Sequence, residues 1–151
     1  MDRVVGISDR ANAAFHTLAV ASRRGGSLTA KEAAGRLGLS PSYLTKILRT
    51  LSVQGILVST RGVGGGFSLA REPESISLMD VLVALDGPLP VRSCLFEKAV
   101  CDTGTCLFKV LCRDFEARLR QALEHSTIAD LAASFSGAAA NGAVADGDDA
   151  T

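Results

Sequence analysis

Residues 39–51 of the chain, LSPSYLTKILRTL, contain a helix start followed by two distinct helix faces. Ser40 is a preferred N-cap residue, and Pro41 suits the first helical position, where its missing N–H is not needed. One face is apolar and holds Leu44, Ile47, Leu48 and Leu51. The other is polar and cationic, without an acid, and holds Ser42, Thr45, Lys46 and Arg49. Such a face suits contact with base edges and phosphates in a major groove, although a merely solvated face is the alternative at this point.

Two patterns before this segment predict two more helices. Ser8 is placed to cap the first, whose small and apolar residues follow a helical repeat as far as the glycine pair at 25–26. Thr29 and Glu32 have the spacing of a capping box, which opens the second helix, and Gly38 ends it. The second and third predicted helices are therefore joined by a short turn.

A β-hairpin is predicted after Gly55. Residues 56–60 are apolar and β-branched, the segment GVGGG at 62–66 is a turn, and residues 67–69 return. Helix, turn, helix and hairpin together predict a winged helix-turn-helix, with Arg61 near the hairpin tip and able to enter a narrow minor groove. The glycines do not match a nucleotide-binding loop, because no Lys-Ser/Thr pair or parallel βαβ unit accompanies them.

The second half of the chain predicts three further helices. Ser77 caps one that stops at Gly87, and Thr127 caps a short last one. Between them, residues 105–125 carry an apolar stripe that is too long for so small a domain to cover, which predicts packing against a second copy of the chain. From about Gly137 the composition predicts disorder. The expected fold class is mainly α with a small β-hairpin wing, that is, a winged helix-turn-helix plus a long dimerisation helix.

The composition of the 151 residues fits one domain with a polyanionic partner. Residues 1–71 hold ten Lys and Arg against three acids, a net charge of +7, and residues 72–151 hold six against thirteen, a net charge of −7. A basic half with few aromatic residues favours double-stranded DNA over single strands. No apolar run reaches membrane-spanning length and no signal peptide pattern is present, so we expect a cytoplasmic protein without a membrane partner.

All four cysteines lie within nineteen residues, at positions 94, 101, 106 and 112. In a reducing compartment this clustering indicates metal or redox chemistry rather than disulfides. Zinc is one alternative, although no C-x-x-C pair is present. A cluster-free thiol sensor is another, because a cation such as Arg92 or Lys98 would favour a reactive thiolate. An enzyme is not expected, since His16 and His125 are far apart and lack a catalytic constellation.

These segments resemble a known group of bacterial winged-helix transcription factors, the iron-sulfur cluster regulators and nitric-oxide-sensing repressors (IscR/NsrR type). The resemblance spans roughly residues 3–134 and is carried by LSPSYL at 39–44, by STRGVGGGFSLA at 59–70, and by the cysteine loop before the long helix. It implies a homodimer joined through the long helix and bound to a two-fold symmetric operator. It also implies a [2Fe-2S] or [4Fe-4S] cluster held by three cysteines and one other ligand, which would report nitric oxide, iron or cluster supply, or redox state.

Matched by position, the resemblance implies Cys94, Cys101 and Cys106 as cluster ligands. Some relatives use a histidine three residues after the third cysteine, where this chain has Lys109, and others use an acid from the partner subunit, at the place of Asp9. Asp9 at the first turn of a helix also has a structural explanation, because a carboxylate there favours the helix dipole. Cys112 departs from the pattern, and a fourth thiolate ligand is one chemical role for it. Six residues of helix would separate it from Cys106 by roughly 9 Å, however, which favours the role of a small buried apolar side chain.

The sequence thus predicts a DNA-binding regulator with a defined set of contact residues, and the family resemblance implies that it is a repressor. The expected DNA contacts are Ser40, Ser42, Tyr43, Thr45, Lys46 and Arg49 in the major groove and Arg61 in the wing. The expected organisation is a DNA-binding unit at 1–87, a cluster-binding loop at 88–106, the dimerisation helix and a short helix at 107–135, and a tail at 136–151.

Overall fold

The computed structural model describes residues 7–62, 65–89 and 106–135. Within these ranges the chain forms six α-helices and three short strands. In chain order they are α1 (Asp9–Arg23), β1 (Ser27–Leu28), α2 (Ala30–Leu37), α3 (Pro41–Val53), β2 (Leu57–Thr60), β3 (Gly66–Leu69), α4 (Leu78–Asp86), α5 (Leu107–His125) and α6 (Ile128–Ser134), with a 3₁₀ turn at Pro73–Ser75. The predicted fold class, mainly α with a small β wing, is confirmed. No helix in these ranges is both long and apolar enough to cross a bilayer.

Hydroxyl side chains start five of the helices as the sequence predicts. Each accepts a hydrogen bond from the backbone N–H three residues later, and the five are Ser8, Thr29, Ser40, Ser77 and Thr127. The Thr29–Glu32 capping box is present, because the Glu32 carboxylate also accepts from the Thr29 backbone N–H at 2.8 Å. Gly38 ends α2 with φ +65°, a left-handed conformation that glycine adopts without strain.

The three strands form one antiparallel sheet in the order β1-β3-β2. The predicted hairpin is β2 with β3, where Leu57 pairs with Leu69 and Thr60 with Gly66. The prediction of a two-stranded hairpin missed β1, which pairs with the other edge of β3 and is only two residues long. A Cβ on Gly66 would lie 3.0 Å from the Leu28 carbonyl oxygen, so the close approach of β1 explains a glycine there.

A single core joins helices from both ends of the described chain. The buried face of α1 is rich in alanine, with Ala11, Ala14 and Leu18 fully buried, and it packs against α4 and α6. Ile76 and Ile128 are also fully buried, and the Ile128 N–H donates to the Ile76 carbonyl at 2.9 Å. The last short helix is therefore part of the same core as the helix-turn-helix.

Helix α5 is covered along only part of its length. Leu123 near its end is buried and Leu119 packs against the core. Five apolar side chains nearer its start are exposed by half or more, namely Leu107, Phe108, Val110, Leu111 and Phe115. The expected uncovered stripe is thus present in the first half of the helix, whereas its end belongs to the chain's own core. We call these five side chains the α5 apolar face.

Candidate nucleic-acid interface and cysteine segment

Helices α2 and α3 form the helix-turn-helix, and α3 is the helix with a free face. It packs against α2, α4 and β2 through Leu44, Ile47, Leu48 and Leu51, all of which are buried. On its other side Ser42, Tyr43, Lys46 and Arg49 are exposed and Thr45 is partly exposed. The arrangement of two faces inferred from the sequence is therefore present.

The hydroxyl groups at the start of α3 are partly used by the helix itself. Ser40 Oγ accepts from the Tyr43 backbone N–H at 3.2 Å, and it lies 3.3 Å from Ser42 Oγ. Thr45 Oγ1 donates to the Pro41 carbonyl oxygen at 2.7 Å. Ser40 thus acts as the helix cap, while Ser42 remains the exposed hydroxyl at the start of the helix.

The cations of α3 have no acidic partner in the part of the chain that the structure describes. Among the described residues neither Lys46 nor Arg49 forms a salt bridge, although Arg10, Arg24 and Arg71 each pair with an acid. From residue 7 to 71 the sequence holds only two acids, Asp9 and Glu32. Glu32 is held by Thr29, whose backbone and side-chain hydrogen bonds keep the pKa of this carboxyl below its ordinary value. The α3 cations are therefore available to an external anion.

The wing, which we define as β2, β3 and the turn between them, starts beside α3. Strand β2 packs against α3, and Arg61 follows that strand as an exposed residue. Gly62 has φ +100°, and a Cβ on Gly65 would collide with the Thr60 carbonyl, so the described ends of the turn require glycine. Arg61 forms no salt bridge within the described ranges.

The structure tests the predicted cluster ligands only in part. Cys94 and Cys101 lie outside the described residues. Cys106 is the N-cap residue of α5 and is half-buried, and Cys112, six positions later on the same helix, is also half-buried. Within the described part of the chain, no group of three or more His, Cys, Asp or Glu side chains converges as a metal site would require.

Asp9 is the first residue of α1, and its side chain is exposed. Its neighbour Arg10 contacts the end of α4, with Nε 2.8 Å from the Asp86 carboxylate and Nη2 donating to the Leu85 carbonyl. No local sequence pattern predicts this contact, because its partners are 76 residues apart. This contact holds the start of α1 against the end of α4, just before the cysteine-containing loop that the sequence predicts at 88–106.

Val53 is a second feature that the sequence interpretation missed. It is the last residue of α3 and is 85% exposed, the highest value among the exposed large apolar side chains of the described residues. It lies seven positions after Lys46 and so falls on the same helix face, which the helical repeat could have shown. The exposed α3 face therefore has a polar start and an apolar end.

The Rrf2 family, described as "Iron-dependent Transcriptional regulator", matches residues 7–134. The chain belongs to the Rrf2 family. This membership confirms the resemblance that the α3 and wing segments carry.

Two relatives of this Rrf2 chain are transcriptional regulators named IscR. The chain is 31% identical over 106 residues to the IscR of Sodalis glossinidius, a match that covers 70% of this chain and 64% of the relative. It is 35% identical over 97 residues to the IscR of Vibrio campbellii, covering 64% of this chain and 57% of that relative. The matched segments therefore span less than two thirds of the length of these relatives.

Solved structures share the fold. CymR, the global cysteine regulator of B. subtilis, has a TM-score of 0.68 at 26% identity, covering 89% of this Rrf2 chain and 98% of CymR. The IscR of T. potens has a TM-score of 0.68 at 22% identity, covering 91% and 93% of the two chains, and this likeness shows the fold alone. The helical domain with its small sheet is thus the fold of Rrf2 winged-helix regulators.

Proposed function

We propose that this Rrf2 chain binds operator DNA as a homodimer and represses transcription under the control of an iron-sulfur cluster. The observation that carries the DNA-binding part is the exposed α3 face, on which Lys46 and Arg49 have no acidic partner among the described residues. A recognition helix needs this combination, because its cations must stay free for phosphates and base edges.

The proposed interface uses the predicted contact residues in three ways. Lys46 and Arg49 supply charge, and an arginine can form two hydrogen bonds with a guanine edge. Ser42 and Tyr43 offer hydroxyl groups at the exposed start of α3, where Ser40 supports them as the cap. Arg61 leaves the end of β2 as an exposed cation, which suits a narrow minor groove.

The test is selection of duplexes from a random pool, followed by binding measurements on the selected sequence. The wild-type chain should enrich one two-fold symmetric sequence and bind it with a steep salt dependence. The double variant Lys46→Ala/Arg49→Ala should lose enrichment and show a shallower salt slope. Arg113→Ala, which removes an exposed cation from α5, is the matched control and should bind as wild type. Unchanged affinity and salt slope in the double variant would contradict the placement of DNA on α3.

The α5 apolar face is the proposed dimer contact. Five exposed apolar side chains on half a helix leave a surface that a second copy of the same helix would cover in a two-fold arrangement. We expect such a dimer to hold two α3 helices at half-sites about one helical turn apart, as a two-fold symmetric operator requires.

The proposed cluster ligands are Cys94, Cys101 and Cys106, with Asp9 of the partner subunit as the fourth. Three thiolates suit a [2Fe-2S] or [4Fe-4S] cluster, and a carboxylate is a weaker donor than a thiolate to such iron. The similarity to proteins named IscR and to a family described as iron-dependent supports this proposal. When bound, the cluster would supply iron that reacts with nitric oxide or oxidants, and its occupancy would fall when iron is scarce. Each chain would contribute three thiolates to one site, and the Asp9 carboxylate at the start of its own α1 to the site of its partner.

A cluster-free thiol sensor is the second candidate, favoured by the similarity to CymR at 26% identity. Chemical analysis separates these candidates. Anaerobically purified protein should contain iron and acid-labile sulfide if the cluster proposal is correct. Protein without either, but with thiols that oxidise reversibly and change DNA affinity, would favour the thiol sensor, and stoichiometric zinc would favour a zinc site.

A further inference from the structure

Thr45 lies on the α3 face proposed to enter the major groove, and its hydroxyl is hydrogen-bonded within the helix. Its Oγ1 donates to the Pro41 carbonyl at 2.7 Å, a short hydrogen bond to the preceding helical turn. A threonine hydroxyl has one hydrogen to donate, so this group has no donor left for a base. The hydroxyl and the γ-methyl occupy different staggered positions on Cβ, so the methyl does not share the direction of the bonded hydroxyl.

The residues on either side of Thr45 place it on the surface proposed to face the major groove. Ser42, three residues earlier, and Arg49, four residues later, flank it on the helix surface, and both are exposed. Thr45 is the fifth residue of α3, in the part of a recognition helix that contacts base edges. The γ-methyl of Thr45 therefore belongs to a residue that lies between the Ser42 hydroxyl and the Arg49 guanidinium on the helix surface.

Only one base offers an apolar group in the major groove. Thymine carries a C5 methyl, and the methyl of a threonine is one of the side-chain groups that contacts it. Resting on the proposed DNA-binding function, we propose that Thr45 recognises one thymine in each half-site through its γ-methyl. Its hydroxyl serves to fix the side chain against the helix.

The experiment removes that one methyl group from the DNA. In the duplex selected by the wild-type chain, each thymine of a half-site is replaced in turn by deoxyuridine, which lacks only the C5 methyl. One position should weaken wild-type binding by about fourfold, the value of one buried methyl group, and by about sixteenfold when both half-sites are changed. If no thymine position shows this loss, the inference is overturned.

Two substitutions at Thr45 assign the effect to the methyl. Thr45→Ser keeps the hydroxyl and loses the methyl, so it should bind the thymine and deoxyuridine duplexes equally. Thr45→Val keeps a methyl and loses the hydroxyl, so it should remain sensitive to deoxyuridine at the same position. A Thr45→Ser variant with full sensitivity, or a Thr45→Val variant with none, would overturn the proposal.

Thr50 provides a matched control within the same helix. Its Oγ1 makes the equivalent hydrogen bond to the Lys46 carbonyl, at 3.1 Å, but it lies near the end of α3. Thr50→Ser should therefore keep the wild-type sensitivity to deoxyuridine at the position assigned to Thr45. Loss of that sensitivity in Thr50→Ser would count against Thr45. A wild-type chain that selects no duplex would instead overturn the DNA-binding function itself, and this inference with it.

Discussion

Arg10 and Asp86 join the first turn of α1 to the last residue of α4 through a guanidinium–carboxylate contact of 2.8 Å. The Asp86 side chain is only 14% exposed, whereas that of Arg10 is about half exposed at 48%. Arg10 also donates to the neighbouring Leu85 carbonyl, so one side chain satisfies two acceptors at the end of α4. The contact therefore holds the start of α1 against the end of α4.

Arg10→Ala should therefore lower the free energy of unfolding by roughly 1 to 3 kcal/mol, because it leaves a mostly buried carboxylate without its cation. Urea unfolding followed by circular dichroism gives the value. Arg71→Ala is the control, since its pair with Asp80 spans 3.5 Å and both side chains are nearly half exposed, so the change should stay within about 1 kcal/mol. Equal losses of unfolding free energy in the two variants would show that the burial of the Asp86 carboxylate does not strengthen its contact with Arg10.

The same pair predicts a pH dependence of stability. Burial acts to raise the pKa of Asp86, but the polar groups of Ser8 and the Arg10 guanidinium outweigh it, so the pKa lies below its ordinary value of 3.8. The unfolded chain then binds this proton more readily than the folded protein, so the stabilisation is present above that ordinary value and is lost as the pH falls through the lower, folded value. Unfolding midpoints measured between pH 2 and 7 should fall less in Asp86→Asn than in wild type over roughly the region below pH 4. Parallel curves for the two proteins would contradict the prediction.

Lys46 and Arg49 should contribute differently to DNA binding. Arg49→Ala should cost about 1 to 3 kcal/mol on the selected operator and relax the base preference at one position. Lys46→Ala, if its ammonium meets a phosphate, should weaken all sequences alike and reduce the salt slope by about one. Fluorescence anisotropy titrations against the operator and single-base variants at several salt concentrations would separate the two effects. A base-specific loss in Lys46→Ala and a uniform loss in Arg49→Ala would reverse the assignment.

Phe115→Glu should yield a folded monomer, because Phe115 is 51% exposed in the single chain and belongs to the α5 apolar face. A charge placed in a helix pair would be buried without a partner, which strongly disfavours association. Sedimentation velocity gives the oligomeric state, and circular dichroism gives the helix content. Arg113→Glu places the same acidic side chain two positions before Phe115, on nearly the opposite side of α5, and should remain dimeric. An unaltered dimer in Phe115→Glu would place the interface elsewhere.

Serine substitution should distinguish the cysteines. Cys106→Ser, Cys94→Ser and Cys101→Ser should each abolish retention of iron and sulfide, whereas Cys112→Ser should retain both. Asp9→Ala should keep a cluster that is lost faster, because the carboxylate is the weakest of the proposed donors. Iron and sulfide analysis after anaerobic purification is the measurement. Loss of iron in Cys112→Ser together with wild-type behaviour of Asp9→Ala would favour a set of four cysteines.

Local chemistry explains which parts of the fold could be predicted from sequence. A cap such as Ser40 acts on a backbone N–H three residues away, so its pattern is contained in a few consecutive residues. Strand β1 could not be predicted in this way, because two residues show no alternation and its partner, β3, lies about forty positions later. The Arg10–Asp86 contact is likewise long-range, and no local rule links a half-exposed arginine to one particular acid.

The candidate site also contains features that local sequence predicts and features that it does not. The exposed α3 face follows from a helical repeat of polar residues, and the structure adds how each hydroxyl is used, as with Thr45 and Pro41. The cysteine ligands came from positional resemblance rather than from geometry. Two of those positions, Cys94 and Cys101, lie outside the described residues, so their grouping with Cys106 stays a prediction.

The packing of α1 against α6 has a consequence for synthesis of the protein on the ribosome. The chain emerges from its N-terminal end, so the alanine-rich face of α1 is made long before Ile128 and Ala132 arrive to complete the core around it. During elongation α1, α2 and α3 therefore exist without their full apolar cover. The native core closes only when α6 has left the exit tunnel, and a chain that stops before residue 128 leaves an exposed apolar surface for chaperones and proteases to bind.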